Sequence, residues 1–186
     1  MAAYKIQIAQ GNLEFSAAHF ITFEGTCEPL HGHNYSIEVE VCGDLTADSY
    51  ILNFITLKNL TREIAHDLDH LFLLPLRNRH LTITETAEAW QLQFGTLRYV
   101  LPKVSVLPLP VDNVTAERLA EYVCGQLVEK LRNAGVTNLH TITVGIAETP
   151  MQTAFYHLEL ASHEGDKQRD SQSSGDHNSN RADDIH

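Results

Sequence analysis

Cysteine is scarce in this sequence. The three present, Cys27, Cys42 and Cys124, are too few and too scattered for a disulfide framework, so reduced thiols, structural or chemical, are expected. Basic residues are also few, 13 Lys and Arg against 24 Asp and Glu, for a formal net charge of -11. That balance argues against a non-specific nucleic-acid surface, which works by neutralising phosphates. An anionic small molecule would need a local cluster of cations, and the sequence does not show where one lies. No apolar run approaches the roughly 20 residues needed to cross a bilayer. The opening Met1–Gln7 lacks the charged start and apolar stretch of a secretory signal. No solenoid-type repeat is visible. A cytoplasmic protein with no nucleic-acid and no membrane partner is expected.

What is present suits one globular domain. The chain has 186 residues, 43% of them hydrophobic, enough for a real core. Residues 162–186 are rich in Ser, Asp, Asn and Gln and carry six acids and three bases, which leaves about -8 on the rest. The expected division is a folded domain over 1–161 and a disordered, polar, acidic tail over 162–186.

Along the chain, Tyr4–Ile8 alternates on even positions, whereas Leu13, Phe15, Ala17 and His19 alternate on odd ones. The change of phase at Gln10-Gly11-Asn12 predicts a bulge or a break. Phe20–Leu30 reads as a loop. His31–Val41 is the next strand, with Tyr35, Ile37, Val39 and Val41 on one face, and is expected to pair antiparallel with the first. Asn53 or Thr56 caps a helix whose apolar stripe is Leu57, Leu60, Ile64, Leu68 and Leu71, ending near Asp67–His70. Leu81–Leu101 is predicted to be a β-hairpin turning at Gly95-Thr96, followed by a connecting stretch punctuated by Pro102, Pro108 and Pro110. A second helix begins at the Thr115 cap, with Glu117 in its first turn. It carries Leu119, Val123, Leu127 and Leu131 and stops at Gly135. Ile142, Val144, Ile146 and Glu148 share one face of a strand broken by Thr149-Pro150. Ala154, Tyr156, Leu158 and Leu160 mark the last strand. The order predicts an α+β protein with a largely antiparallel sheet and its helices on one face.

Side chains on a strand have period two, so His31 and His33 share the face of the apolar row, and pairing with the first strand would bring His19 to the same end. Three neutral imidazoles with an open fourth position make a catalytic zinc arrangement. The plainer alternative is two surface histidines around a tight glycine with His19 unrelated. Shared parity with core residues favours the metal, because a histidine on a core face needs a partner. Cys27 has three readings: an ordinary buried thiol, a fourth ligand closing a structural site, or a base or nucleophile whose pKa a nearby dication lowers. Asp69 and His70 are either a solvated pair at a helix end or a base oriented by a carboxylate. Glu148 is either already at the surface or held in a pocket to accept two N–H donors, such as those of a pterin or guanine, and the second is preferred.

Phe15-Ser16-Ala17-Ala18-His19, Cys27-Glu28 followed by His31-Gly32-His33-Asn34-Tyr35, Leu68-Asp69-His70, Thr115-Ala116-Glu117 and Glu148-Thr149-Pro150 occur in the order seen in one family. Over about residues 4–160 the chain resembles the 6-pyruvoyl-tetrahydropterin synthase / 6-carboxytetrahydropterin synthase family. The resemblance implies a tunnelling fold: an antiparallel four-stranded sheet with two helices on one face, plus the inserted hairpin, assembled into homotrimers or hexamers with sites shared between subunits. It implies zinc on His19, His31 and His33, Cys27 as general base, and Asp69-His70 as its relay partner from a neighbouring subunit. Glu148 would anchor the pterin and Thr115 would lie near the same pocket. The implied substrate is 7,8-dihydroneopterin triphosphate. Two departures stand out. Asn53-Phe54 replaces a common Asp-Phe pair, with little effect expected because Asn also caps helices. Glu28 beside Cys27 resembles forms that make 6-carboxy-5,6,7,8-tetrahydropterin, of the queuosine pathway, and 6-hydroxymethyl-7,8-dihydropterin, of the folate pathway. The alternatives are a 6-pyruvoyltetrahydropterin synthase and a non-catalytic structural zinc protein.

Overall fold

A computed structural model of the chain describes residues 4–9 and 13–161. The phase change at Gln10-Gly11-Asn12 and the tail from 162 lie outside these. The central strand is β5 (His31–Gly43), and four others are built around it: β1 (Tyr4–Ile8), β2 (Glu14–His19), β11 (Leu139–Thr149) and β12 (Gln152–Glu159). β2 pairs antiparallel with the first half of β5 and β1 with its second half, while β11 covers the opposite edge and β12 adds to β11. This is the antiparallel sheet read from the sequence.

The sheet continues beyond it. β6 (Leu71–Pro75) runs parallel to β2, and β10 (Val106–Leu109) runs parallel to β6, so the whole is mixed. Both strands correct the expectations. Leu71 opens β6 and does not continue the helical stripe, and the proline-punctuated connection holds a strand. Pro108 is tolerated there because β10 is the last strand of the sheet, where a missing N–H leaves no neighbour unpaired.

Helix α1 (Phe54–Leu68) starts at Asn53, whose carboxamide accepts from Ile55 N at 2.8 Å. Helix α2 (Ala116–Asn133) starts at Thr115, whose hydroxyl accepts from Arg118 N at 3.3 Å. Their buried stripes, Leu57, Ile64 and Leu68 on one and Leu119, Val123, Leu127 and Leu131 on the other, pack with Tyr35, Ile37, Val39 and Val41 of β5 into one core. The opposite face of the sheet is polar: Lys5 pairs with Glu40 at 2.9 Å and Ser16 donates to Asn34 at 2.7 Å.

The insertion has three strands, β7 (Thr82–Glu85), β8 (Ala89–Phe94) and β9 (Leu97–Pro102), where a hairpin was expected. The loop before β5 folds into a two-stranded ribbon, β3 (Thr22–Phe23) and β4 (Thr26–Cys27), turning at Glu24 and Gly25, both with positive φ. A second small core lies between ribbon and insertion. Phe20 stacks on Tyr99 with centroids 5.5 Å apart, and Phe72, Leu74 and Leu92 fill in around them.

Candidate active site

Register brings the histidines together. His19 stands opposite His31 in the β2–β5 pairing and Ala17 opposite His33, so the three rings sit at one end of the helix-covered face. Their centroids are 4.6, 5.2 and 5.0 Å apart, and one nitrogen from each lies within 4.8 Å of the others. Tyr35, the next core residue of β5, forms the floor, edge-on to His19 and His33 and stacked on Phe15 at 4.8 Å.

Two of the rings are oriented by backbone. His19 Nδ1 is 2.8 Å from the Val114 carbonyl and His31 Nδ1 is 2.8 Å from the Pro29 carbonyl. A carbonyl only accepts, so each Nδ1 carries the proton and each Nε2 presents a lone pair. Burial, opposed in part by the Val114 bond, pushes His19 down to about 4, so it is neutral at pH 7. Its Nε2 is buried with no partner among the described residues. A buried lone pair without a donor is costly unless something electrophilic meets it. A divalent metal with nitrogen ligands fits, and carbonyls on the far ring nitrogens are the usual outer support of such a site.

Cys27 does not belong to this cluster. It is half-buried on the ribbon against the second small core, with its thiol 3.5 Å from the Glu28 carbonyl. Burial pushes the thiol up and the Glu28 carboxylate adds to it, so the described groups disfavour the thiolate. Thiolate formation there needs an added positive charge.

Asp69 and His70 fill the joint between α1 and β6. Ser16 N donates to Asp69 Oδ1 at 2.7 Å, His70 N donates to the Ser16 carbonyl at 2.6 Å, and His70 Nδ1 lies 2.8 Å from Asp69 Oδ2. The same strand that carries His19 thus carries this pair. His70 has φ +59, a left-handed helix stop where glycine is the usual residue.

Two cavities flank Gly32-His33-Asn34. One, of about 560 Å³, is shared by His33, His70, Ser16, Asn34, Leu101 and Ser105, and the other, of about 660 Å³, holds His33, Glu148, Glu14 and Glu38. Glu148 is half-buried beside a register shift, between Ala147 and Thr149, in the pairing of β11 with β12. Neither cavity is lined by a lysine or arginine among the described residues. Thr115 lines neither. It caps α2 one residue after the Val114 carbonyl that holds His19.

A sequence profile described as 6-pyruvoyl tetrahydropterin synthase matches residues 9–159. The chain belongs to that family. A Methanocaldococcus jannaschii protein, provisionally named 6-carboxy-5,6,7,8-tetrahydropterin synthase, is 32% identical over 149 residues, 80% of this chain and 91% of that protein. The Bacillus subtilis 6-carboxy-5,6,7,8-tetrahydropterin synthase is 34% identical over 109 residues, 56% of this chain and 63% of that one. The crystal structure of Plasmodium vivax 6-pyruvoyl tetrahydropterin synthase superposes with a TM-score of 0.82 at 28% identity, covering 86% of this chain and all of that one. The fold is therefore the α+β tunnelling fold, and the protein is an enzyme of the pterin synthase type, a lyase.

In this pterin synthase several contributors were invisible to sequence reasoning. The Val114 and Pro29 carbonyls leave no residue signature. Leu101 and Ser105 come from the insertion and the turn after it, where no local pattern points to a site, yet they wall the cavity shared by His33 and His70. Tyr35 was legible as core by parity, though not as the floor of the histidine site. Among the described residues no helix is long and apolar enough to cross a membrane.

Proposed function

We propose that the enzyme is zinc-dependent and cleaves the side chain of 7,8-dihydroneopterin triphosphate, giving 6-carboxy-5,6,7,8-tetrahydropterin and, through Glu28, 6-hydroxymethyl-7,8-dihydropterin. The observation that carries this is the buried, unpartnered Nε2 of His19 beside His31 and His33, with His33 lining a cavity that His70 also lines. Zinc held by the three imidazoles supplies Lewis-acid chemistry, lowering the pKa of side-chain hydroxyls.

The protein's own groups do the rest. Asp69 fixes the tautomer of His70, so that its Nε2 takes or returns a proton within the cavity. Cys27 is the general base on the other face of the side chain. Glu148 accepts two N–H groups of the pterin ring, and Thr115 lies near that anchor. Glu28 is a second base, the feature that separates the two products. A glutamate is named as a catalytic residue in a mutant structure of the Plasmodium vivax enzyme, which supports a carboxylate in such a role.

A homotrimer or hexamer with shared sites accounts for the absence of Lys and Arg, among the described residues, from the lining of both cavities, since basic residues for the triphosphate would come from a neighbouring subunit. It also covers the exposed edge of β12. In this reading residues 1–161 are the catalytic domain and 162–186 a polar tail. Three free thiols suit the reducing cytoplasm.

Mass spectrometry of the products formed from 7,8-dihydroneopterin triphosphate by zinc-loaded protein is the test. The 6-carboxy or 6-hydroxymethyl product supports the proposal and a 6-pyruvoyl product redirects it to the tetrahydrobiopterin pathway. Unchanged substrate sinks it. X-ray absorption excludes the structural-zinc alternative if the metal has only N/O ligands and an open position, and sulfur in its coordination shell would restore it.

A further inference from the structure

One half-buried side chain joins the thiol to the metal-facing histidine. The Asn113 carboxamide grips the Thr22 peptide from both directions: its Oδ1 accepts from Thr22 N at 3.2 Å and its Nδ2 donates to Thr22 O at 2.9 Å. Thr22 stands directly opposite Cys27 in the β3–β4 ribbon. On the other side, Asn113 Oδ1 also accepts from Val114 N at 3.2 Å, and Val114 O is the carbonyl that fixes His19 Nδ1 at 2.8 Å. The Thr22 side chain is held separately. Asn78 Nδ2 donates to Thr22 Oγ1 at 2.8 Å and its Oδ1 accepts from His80 N at 2.9 Å, with Thr22 and Asn78 both buried.

The common reason for an asparagine just before a helix is capping, and that does not apply here. Thr115 caps α2. What Asn113 does instead is act as a one-residue strand neighbour to the ribbon. Without it, the Thr22 N–H and C=O would lose this partner, and the ribbon would keep only its own short pairing, the Asn78 brace and the packing around Phe20.

We propose that Asn113 is a positioning residue that couples the Cys27 ribbon to the His19 end of the metal site, setting the thiol and the imidazole in fixed relation. The proposal rests on the reading of Cys27 and the three histidines as parts of one site. A carboxamide offers its donor and its acceptor on two separate atoms, spaced to meet the N–H and the C=O of one residue. An aspartate keeps the acceptor and sets an oxygen against the Thr22 carbonyl, and an alanine removes both.

The test uses the full chain carrying Asn113→Ala or Asn113→Asp, with Asn78→Ala as the control that touches only the Thr22 hydroxyl and the His80 N–H. Three quantities are read: the rate at which iodoacetamide labels Cys27 in metal-free protein, followed by peptide mass spectrometry; zinc retention against a competing chelator; and kcat and KM separately. Both Asn113 variants are expected to shift Cys27 labelling by at least about threefold, since thiol reactivity follows its surroundings. Zinc retention should weaken about tenfold, the scale for losing the support of a metal ligand's orientation. The kcat should fall about tenfold or more with KM little changed, as expected when reacting groups are misplaced. Asn78→Ala should lower Tm and leave labelling and zinc retention near wild type. If Asn113→Ala does not fold, Asn113→Asp carries the same measurements. Variants whose Tm drops while labelling and zinc retention stay at wild-type values would overturn the coupling. If labelling and zinc retention move but a Cys27→Ala enzyme keeps full activity, the coupling stands and the reading of Cys27 as base fails.

Discussion

His19 and His31 face each other across the β2–β5 register, and each has its Nδ1 held 2.8 Å from a backbone carbonyl, one from Val114 and one from Pro29. Neither carbonyl lies in the sheet pairing that aligns the rings, so two separate loops aim two nitrogens into one space. Removing either ring should therefore abolish metal retention without unfolding the sheet. His31→Ala is the cleaner variant because His31 is only half-buried, whereas His19 is fully buried. Loss of a ligand should cost zinc affinity more than the roughly 10–100-fold typical of losing an outer partner. Elemental analysis of the purified variant checks this. Wild-type zinc content in His31→Ala would remove the histidine cluster as the site.

Cys27 ends the β3–β4 ribbon and Glu28 follows it, its N–H donating to the Ile21 carbonyl at 2.9 Å, so the pairing carries on past Cys27 and successive side chains leave opposite sides of the chain. They are therefore expected to act on different atoms of the substrate. Cys27→Ala should lose the tetrahydropterin product, while Glu28→Ala should selectively lower hydroxymethyl-dihydropterin. A general base contributes about 10²–10⁴-fold, so each loss should be that large. Product ratios by mass spectrometry decide it, and equal loss of both products in both variants would dispose of the two-base idea.

How much of this was readable in the sequence follows from which interactions carry periodicity. The β5 row of Tyr35, Ile37, Val39 and Val41 alternates cleanly because one face packs on the helices and the other is polar, so the His31–His33 parity could be read directly. The caps at Asn53 and Thr115 were legible because their side chains bond within their own helix starts. β6 was missed for a physical reason. Leu71-Phe72-Leu73-Leu74 is buried on both faces, so it shows no alternation, and a helical stripe ran into it from Leu68. β10 was hidden by Pro108, and the third strand of the insertion by the short, exposed Thr82–Glu85. The site's polar supports, Asn113, Asn78 and the two carbonyls, form only on folding, between segments distant in sequence, and leave no local pattern.

Asp69 gives a pH prediction whose sign can be worked out. The Ser16 N–H, and secondarily His70, hold its carboxyl below the usual carboxylate value, against a partial burial that pushes the other way. A group depressed on folding contributes stability that is fully present above its unfolded value, about 4, and is lost as pH falls through the folded value. The Tm deficit of Asp69→Ala relative to wild type should therefore be largest near neutral pH and shrink below about pH 4. Thermal melts of both proteins between these limits check it. A deficit that stays constant across the range would mean that the carboxylate's charge contributes nothing and only its shape matters.

Gly32 separates His31 from His33 and lines both cavities. It points to the polar face of the sheet, where a Cβ would meet the Ala17 carbonyl at 3.0 Å, tighter than ordinary contact. Ala17 is the register partner of His33, so relief by backbone movement would displace the strand that carries His33. Gly32→Ala should fold and retain zinc, because a few tenths of an ångström can be absorbed locally. It should still lower kcat/KM by about tenfold or more, the scale at which small misplacements of reacting groups act. Gly32→Val places two further methyl groups at a position that both cavities share, and it should abolish turnover before it lowers metal content. Zinc analysis alongside steady-state kinetics separates the two effects. If Gly32→Val turned over substrate at the wild-type rate, neither cavity beside His33 would be where the pterin binds.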